Sequence, residues 1–570
     1  MKLSKLLGER TKEVPSVATV KSQALLLRAG YIKQVSNGIY SLLTPAQKVS
    51  QKIQNIIREE MNKIDGQEVL FPVVMPREMW DESGRYTSIG AEMVRFKDRT
   101  GHDMLLGMTH EEAAVHMARN TVKSYDQLPF MIYQIQTKFR DEARSRAGLI
   151  RVREFTMKDA YSFHTTQEDL EAYYKRVYDA YFKIYKRIGL KNVIAVASDT
   201  GMMGGKIAHE YMLLTDIGED SIAICSECGY KANVEVAKGI LDKTETQAQP
   251  LKEVYTGSAK TIEEVCEFLN IPQSQTCKAV CFAMEGEKDK SLVVFVRGDL
   301  DVNEAKVKAI IKKDIAPKDL DETSLIKGNI GLIGLNDDNL VLLFDESLKG
   351  ENNLVCGANK EEYHISGVCM SRDLPNIEYY DVSKVKDGEV CVNCKSGKLT
   401  ISRGVEIGNI FQLGTKYTKP MNMTIHDKDG SEINPIMGCY GIGVGRNLAC
   451  IAEESGDDKG LVWNMNVAPW EVEICPLRLD DELVVKTANK LYDDLKQAGI
   501  DVLFDDRDVS AGFKFADSEL IGIPIRVVVS PRNLAEGKLE IAFRESGIKD
   551  MINLNDAVTY LTNAVQSAKF

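Results

Sequence analysis

The sequence has no apolar run near the roughly 18 residues that a bilayer-spanning helix needs. Its first residues, MKLSKLLGERTKEVP, scatter charge and contain no apolar stretch of the export-signal kind. The expectation is a cytoplasmic protein with no membrane partner. No internal repeat and no low-complexity tract occur, and the composition excludes collagen-like, coiled-coil and wholly disordered chains. There is no excess of positive charge either: 72 Lys and Arg stand against 84 Asp and Glu, a net charge of −12. That total gives no sign of a nucleic-acid partner, although binding depends on local patches rather than on the sum. No Ser/His/Asp set of the hydrolytic kind is present. With no export signal, the twelve cysteines belong to a reducing compartment. Disulfides are then not expected, and paired cysteines take a metal reading.

The chain has 570 residues, of which 44% are hydrophobic and 27% charged. At about 150 residues per domain it holds three or four domains. Residues 1–235 read as mixed helix and strand. Apolar residues at Val49, Ile53, Ile56, Ile57, Met61 and Ile64 predict a helix over 45–64, and a second helix is predicted over 170–188. Between them, residues 69–75 form an apolar strand broken by Pro72, which suits a sheet edge or an interface. Residues 236–385, with a core at 250–375, have a different texture. A polar linker, LDKTETQAQPLKEVYTG, precedes the strand-like runs AVCFAM, SLVVFVRG and NLVLLFDE. Residues 386–465 return to Gly-rich strand-like sequence. Residues 466–570 alternate helix and strand as βαβ units do.

Three segments carry chemistry. Residues 134–158 hold seven Lys/Arg against three Asp/Glu, a local basic patch suited to phosphates. Within FRDEARSRAGLIRVREFTMKDAYSF, Arg140 and Glu142 alternate as on one strand face. After a Gly-containing loop, Arg151, Phe155 and Asp159 recur at every fourth position. An arginine fork holds phosphate or carboxylate, a glutamate accepts from an adenine amino group, and a Phe stacks on the base. The alternative is an exposed hairpin with a solvated charge run. In GCYGIGVGRNLACI, Gly441, Gly443 and Gly445 alternate along a strand read as ending in Arg446. A glycine face lets a flat ligand lie on the backbone, though such strings also mark bulges. The third segment, GQEVLFPVVM, is by itself an interface candidate.

In this order the three segments resemble the signature motifs of class II aminoacyl-tRNA synthetases. GMTHEEA, FRDEARSRAGLIRVREFTMKDAYSFH, GVEIGNIFQLGTKY and DDRDVSAGFKFADSELIGIP are similar to segments of bacterial-type prolyl-tRNA synthetases, and the likeness covers nearly the whole chain. The resemblance implies an α+β, multidomain α/β architecture. An antiparallel sheet flanked by helices forms the catalytic domain in two parts, 1–235 and 386–465, with an inserted α/β editing domain and a C-terminal α/β anticodon-binding domain. It implies a homodimer through residues 66–72, with ATP, magnesium, proline and tRNA(Pro) as ligands.

The implied roles follow position by position. Arg140 holds the α-phosphate and the amino-acid carboxylate. Glu142 reads the adenine amino group and Phe155 stacks on the ring. Arg151 and Arg446 bind the γ-phosphate end of a bent ATP. Thr109 and Glu111 take the proline imino group, with His164 and Cys439 lining the pocket. Glu406 is the magnesium ligand and Gln412 a ribose contact. The family usually has His where Asn409 stands. In the insertion, Lys278 would hold the terminal phosphate of a mischarged tRNA. Asn303, Glu304, Gly331, Asp345 and His364 match further points of the editing domain, Asp345 and His364 as lining of an alanine pocket. Family members often have Pro where this chain has Leu332. At the C-terminus, Asp505, Asp506, Arg507, Lys514 and Phe515 match the anticodon-recognition segment, although residues 471–570 carry 12 Lys/Arg and 18 Asp/Glu.

Two rival readings are weighed against this one. Threonine-specific relatives use an active-site zinc with Cys and His ligands, and neither THEE nor GNIFQLG offers such a set. A silent tRNA-binding paralogue would have lost motif arginines, yet Arg140, Arg151 and Arg446 are present. Finally, Cys225 and Cys228 form one CxxC knuckle and Cys391 and Cys394 a second, each with Gly close behind (Gly229, Gly397). If the two meet, four thiolates make a closed tetrahedral site suited to structural zinc.

Overall fold

The computed structural model describes residues 1–205, 207–243, 246–335 and 337–569. The chain divides into two compact units. One comprises residues 1–194, 200–217 and 405–570; the other comprises 195–199 and 218–404.

The first unit is organised on a sheet. Its strands follow the order Ile207–Leu214, residues 405–414, Ile436–Gly443, Glu154–His164, Phe130–Phe139 and Gly66–Glu68. Neighbours from 405–414 through Phe130–Phe139 are antiparallel, and Gly66–Glu68 joins the edge in parallel. Register sets the site: Gly441 lies opposite both Asn409 and Asp159. The helices Thr44–Asn62 and Gln167–Ile188 pack as their apolar spacing predicts, burying Val49, Ile53, Ile57 and Met61 on one and Val177, Tyr181 and Ile184 on the other. Within the same unit, residues 472–553 form a second sheet. Val472–Pro476 pairs in parallel with Val502–Phe504 and with Ile525–Val529. Helices Glu482–Gln497 and Ala557–Ser567 close its core through Leu491, Leu495, Leu561 and Val565.

The other unit carries a mixed sheet in the order Ile315–Pro317, Cys277–Met284, Glu287–Arg297, Leu340–Asp345, Tyr379–Tyr380. The run SLVVFVRG is apolar without alternation because both faces of its strand are covered. Val293 and Phe295 enter one core, and Leu292, Val294 and Val296 enter another. Its polar leading stretch is not all linker, since Lys252–Tyr255 pairs with Tyr363–Val368. Among the described residues, no helix is long and apolar enough to cross a membrane.

Three local expectations are corrected. Residues 69–75 do not form one strand: Gly66–Glu68 and Val74–Pro76 are separate, because Pro72 has no N–H to donate to a ladder. Arg140 and Glu142 do not alternate on a strand. The strand ends at Phe139, and Glu142 N donates to Arg140 O at 2.7 Å, a tight turn. Gly445 and Arg446 lie in the first turn of a helix, Val444–Ser455. Its buried Val444, Leu448, Ile451 and Ala452 follow helical spacing, which the alternating glycines obscure.

Candidate active site

A cleft of about 660 Å³, counted to its open mouth, lies on the first unit's sheet. The hairpin between Phe139 and Glu154 supplies Arg140, Glu142 and Arg151; the strands supply Phe155, Glu406, Asn409 and Gly441; Arg446 closes one side. The hairpin turns through Ala147 and Gly148, both left-handed at φ 56° and 60°, a conformation that costs energy for the alanine. The floor is main chain. Gly441 and Gly443 present main chain to the cleft, and a Cβ at Gly441 would meet Asn409 Oδ1 at 2.8 Å. Gly408 faces the other side of the sheet, where a Cβ would meet the buried Tyr185 hydroxyl at 2.2 Å. Only a flat surface results, and a planar ring can rest on it.

Charge is arranged around this floor. Arg140 donates from Nε to Met108 O at 3.2 Å, and its guanidinium lies 5.4 Å from the Phe155 ring. Desolvation pulls the pKa of Arg140 down; Glu406 opposes this and Arg446 adds to it. Arg151 donates to Glu142 Oε1 at 2.8 Å. Arg446 donates from Nη1 to Glu406 O at 2.7 Å and to Glu406 Oε2 at 3.1 Å, and Asn409 Nδ2 donates to Glu406 Oε1 at 2.7 Å. The helix Val444–Ser455 begins at Gly443, which lines the cleft and has no side-chain cap. Its N–H groups and dipole favour an anion there.

A buried ion network lies in the same unit. Thr109 Oγ1 donates to Glu111 Oε2 at 2.6 Å, and Arg85 Nη1 donates to Glu111 Oε2 and to Glu112 Oε1, each at 3.1 Å. Burial opposes the charge on Arg85, but Glu112 and Glu111 more than offset it and raise its pKa. Cys439 is buried beside Glu111, and burial pushes its thiol well up. Lys138 Nζ lies 2.8 Å from Asp159 Oδ1. His110 donates from Nε2 to Pro72 O, and burial, with Lys138 adding to it, lowers its pKa to about 4. It is therefore neutral near pH 7. No role was assigned from the sequence to Arg85, Lys138 or His110 in this network: Lys138 lies in the basic stretch 134–158 and His110 in GMTHEEA, while Arg85 sits in DESGRYTSIG, without period or motif.

Other candidate residues fall elsewhere. Gln412 accepts from Gln167 Nε2 at 2.9 Å and is not part of the cleft lining. His164 is buried between Asp169 and Ser162, each at 2.8 Å, and does not line it. In the second unit, Lys278 and His364 line one cavity with Gly328 and Gly357. Lys278 Nζ donates to Leu300 O and Asp301, and His364 Nδ1 is 2.7 Å from Thr256 Oγ1. Gly331 packs behind them: a Cβ there would lie 1.7 Å from Gly357 O. Asp345 does not line this cavity. It caps the turn Glu346–Leu348, its carboxylate accepting from Ser347 N and Val382 N. Asn303 caps the helix Glu304–Ile311, which puts Glu304 in the first helical turn.

In the C-terminal segment, Asp505 is fully buried and Lys514 nearly so; Lys514 Nζ donates to Pro476 O and Asp505 O at 2.9 Å each. They hold the segment together rather than face solvent. Asp506 accepts from Ser4, and Arg507 is ion-paired to Asp505 and Asp517. Phe515 lies under Arg526, whereas Phe513, which the motif match passed over, is 51% exposed.

An antiparallel sheet with a basic hairpin, a glycine floor and an arginine at a helix start defines the class II aminoacyl-tRNA synthetases. In accord with this, the family described as tRNA synthetase class II core domain (G, H, P, S and T) matches residues 94–455, and the anticodon binding domain family matches 471–564. The chain is 42% identical over 573 residues to the proline–tRNA ligase of Caldicellulosiruptor saccharolyticus, covering 100% of this chain and 99% of the relative. It is 43% identical over 566 residues to that of Aquifex aeolicus, covering 98% of each. The chain belongs to the proline–tRNA ligase family. In solved structures, the fold is similar to prolyl-tRNA synthetase from Cryptosporidium parvum, complexed there with L-proline and AMP. The TM-score is 0.57 at 14% identity, with 96% of this chain and 78% of that chain covered.

Proposed function

We infer that this chain activates proline with ATP and transfers it to tRNA(Pro). The observation that carries the chemistry is the convergence of Arg140, Arg151 and Arg446 on one main-chain-floored cleft beside Phe155. In this reading adenine lies on the floor against Phe155 with Glu142 accepting from its amino group. Arg140 bridges the α-phosphate and the proline carboxylate, while Arg151 and Arg446 take the far phosphates. A carboxylate oxygen of proline attacks the α-phosphorus in line as the bond to the bridging oxygen of pyrophosphate breaks, and charge grows on the transferring and leaving groups. Prearranged cations stabilise that charge without a protein nucleophile. Thr109 and Glu111 face the imino group, with Cys439 closing the pocket. Magnesium takes oxygen donors; Glu406, a part-exposed carboxylate on the cleft wall, is its proposed ligand and would neutralise phosphate charge. ATP–pyrophosphate exchange across the amino acids tests the reading: proline alone should support strong exchange, and equal exchange with threonine would overturn it.

A second activity, hydrolysis of alanyl-tRNA, is proposed for the second unit on the pairing of Lys278 and His364 in one cavity. A proline pocket cannot strongly exclude a smaller amino acid, because one methylene is worth only about 1–3 kcal/mol. Lys278→Ala should leave proline activation within twofold and reduce alanyl-tRNA hydrolysis at least tenfold; unchanged hydrolysis would remove the assignment. A homodimer through residues 66–72 is supported by the exposed Leu70 and the edge strand beside it. A cytoplasmic location is proposed on membership of the proline–tRNA ligase family. Structural zinc is the remaining ligand.

A further inference from the structure

The two CxxC knuckles meet. Cys225 Sγ lies 3.7 Å from Cys394 Sγ, and Cys228 Sγ lies 3.6 Å from Cys391 Sγ. All four sulfurs are within 4.8 Å of one another, and none is in a disulfide. Four sulfurs at about 2.3 Å from a central zinc stand roughly 3.8 Å apart at the corners of a tetrahedron. A disulfide would draw a pair in to about 2.05 Å. The observed spacings are those of ligands around an ion.

The surroundings are built for thiolates. The residue after each second cysteine is left-handed, Gly229 at φ 75° and Lys395 at φ 60°, so both knuckles fold the chain back the same way. Cys225 Sγ accepts from Glu227 N at 3.3 Å and Cys228 N at 3.5 Å, and Cys394 Sγ accepts from Gly397 N at 3.2 Å. N–H groups directed at sulfur stabilise its charged form. Gly397 is required by space, since a Cβ there would lie 2.6 Å from Cys225 Sγ. The knuckles are also joined to each other: Ser226 N donates to Lys398 O at 3.0 Å, and Ser396 Oγ donates to Glu227 Oε2 at 2.6 Å.

We propose that Cys225, Cys228, Cys391 and Cys394 bind one zinc ion as four thiolates, forming a closed structural site. The thiol protons pass to solvent as the metal enters. Zinc is assigned rather than iron because Cys228 is exposed, and a redox-inert ion tolerates a solvent-facing ligand. The site joins positions 163 apart in the chain, and so fixes the root of the sequence between them. Cross-links closing long loops remove the most chain entropy. This assignment is independent of the aminoacylation reading.

The test is metal analysis of the full-length chain purified without chelator. About one zinc per chain is expected. Less than a tenth of an equivalent, with no uptake of added zinc chloride, would overturn the proposal, as would stoichiometric iron in its place. Cys228→Ser alters the exposed ligand and therefore burdens folding least; it should lower bound zinc at least fivefold. Cys391→Ser should do the same, and Cys266→Ser, a cysteine outside the cluster, should keep wild-type content. Because Cys391→Ser could fail to fold, the native chain is also titrated with a mercurial while zinc release is read with a chromogenic chelator. Release that tracks modification of these thiols supports the site; zinc retained by folded Cys228→Ser, or no release on titration, sinks it.

Discussion

Arginine serves two ends in this molecule, and the cleft and the segment 505–517 show them side by side. In the cleft, among the described residues, the Arg140 guanidinium is hydrogen-bonded through Nε to Met108 O, leaving its fork for a ligand. In the C-terminal segment, Arg507 donates from Nε and Nη2 to Asp505 and from Nη1 to Asp517, at 2.7 to 2.9 Å. Every nitrogen is engaged by the protein. Lys514 is likewise satisfied by two carbonyls. The same residue types thus mark a binding surface in one place and scaffold in the other. What distinguishes them is unsatisfied hydrogen-bonding capacity facing open space, not charge. On that ground the exposed Phe513, not Lys514, is the group of its segment best placed to meet an unpaired base.

Substitutions can break this contrast. The largest effect is expected from Arg140→Ala, where transition-state stabilisation is lost: proline-dependent exchange should fall about a thousandfold, or roughly 4 kcal/mol, with the melting temperature little changed. Activity within tenfold of wild type would show that another group does this work. Asp505→Ala should act the opposite way. It strips a buried partner from Arg507 and should cost about 3 kcal/mol or more of stability, read by urea unfolding, while the folded fraction keeps its exchange activity.

Glu473 sharpens the contrast through pH. Its carboxyl group is fully buried, and burial pushes its pKa from 4.5 up to about 7. Between those values the folded chain holds a proton that the unfolded chain has released, so this group's contribution to stability falls as pH rises, and the loss is complete above about 7. Glu473→Gln should therefore raise stability by roughly 3 kcal/mol at pH 8 and much less at pH 5; a pH-independent effect would exclude the buried carboxyl as the cause. The smallest expected change is in Phe513→Ala. Loss of one stacking platform should lower kcat/KM for tRNA about tenfold with exchange and melting temperature unaltered, whereas a stability loss without a tRNA effect would make Phe513 scaffold too.

Helices such as Thr44–Asn62 were legible because Val49, Ile53, Ile57 and Met61 repeat at the period of one buried face. The cleft was legible in two of the three segments, those around Arg140 and Arg446, because each carries unusual residues at short spacing; GQEVLFPVVM does not line it. Its assembly was not: Asn409, Gly441 and Asp159 share one level only through strand register, which no local pattern encodes. Arg85 was invisible for a similar reason, since its partners Glu111 and Glu112 lie 26 and 27 positions away. Asp345 illustrates the converse. A carboxylate that caps a turn and one that meets a substrate look alike in a sequence, and only its bonds to Ser347 and Val382 tell them apart. The cysteine knuckles were the easiest to read, because two identical spacings announce one another.

The glycine floor has a consequence for inhibition. A compound seated on it in place of adenine would rest on main-chain atoms at Gly441, where a side chain would run into Asn409 on the cleft face. A side chain at that position would project onto the cleft face and so hinder the nucleotide as well. Escape would fall to the walls, where Asn409, whose amide is bonded to Glu406, is one position that reaches the cleft.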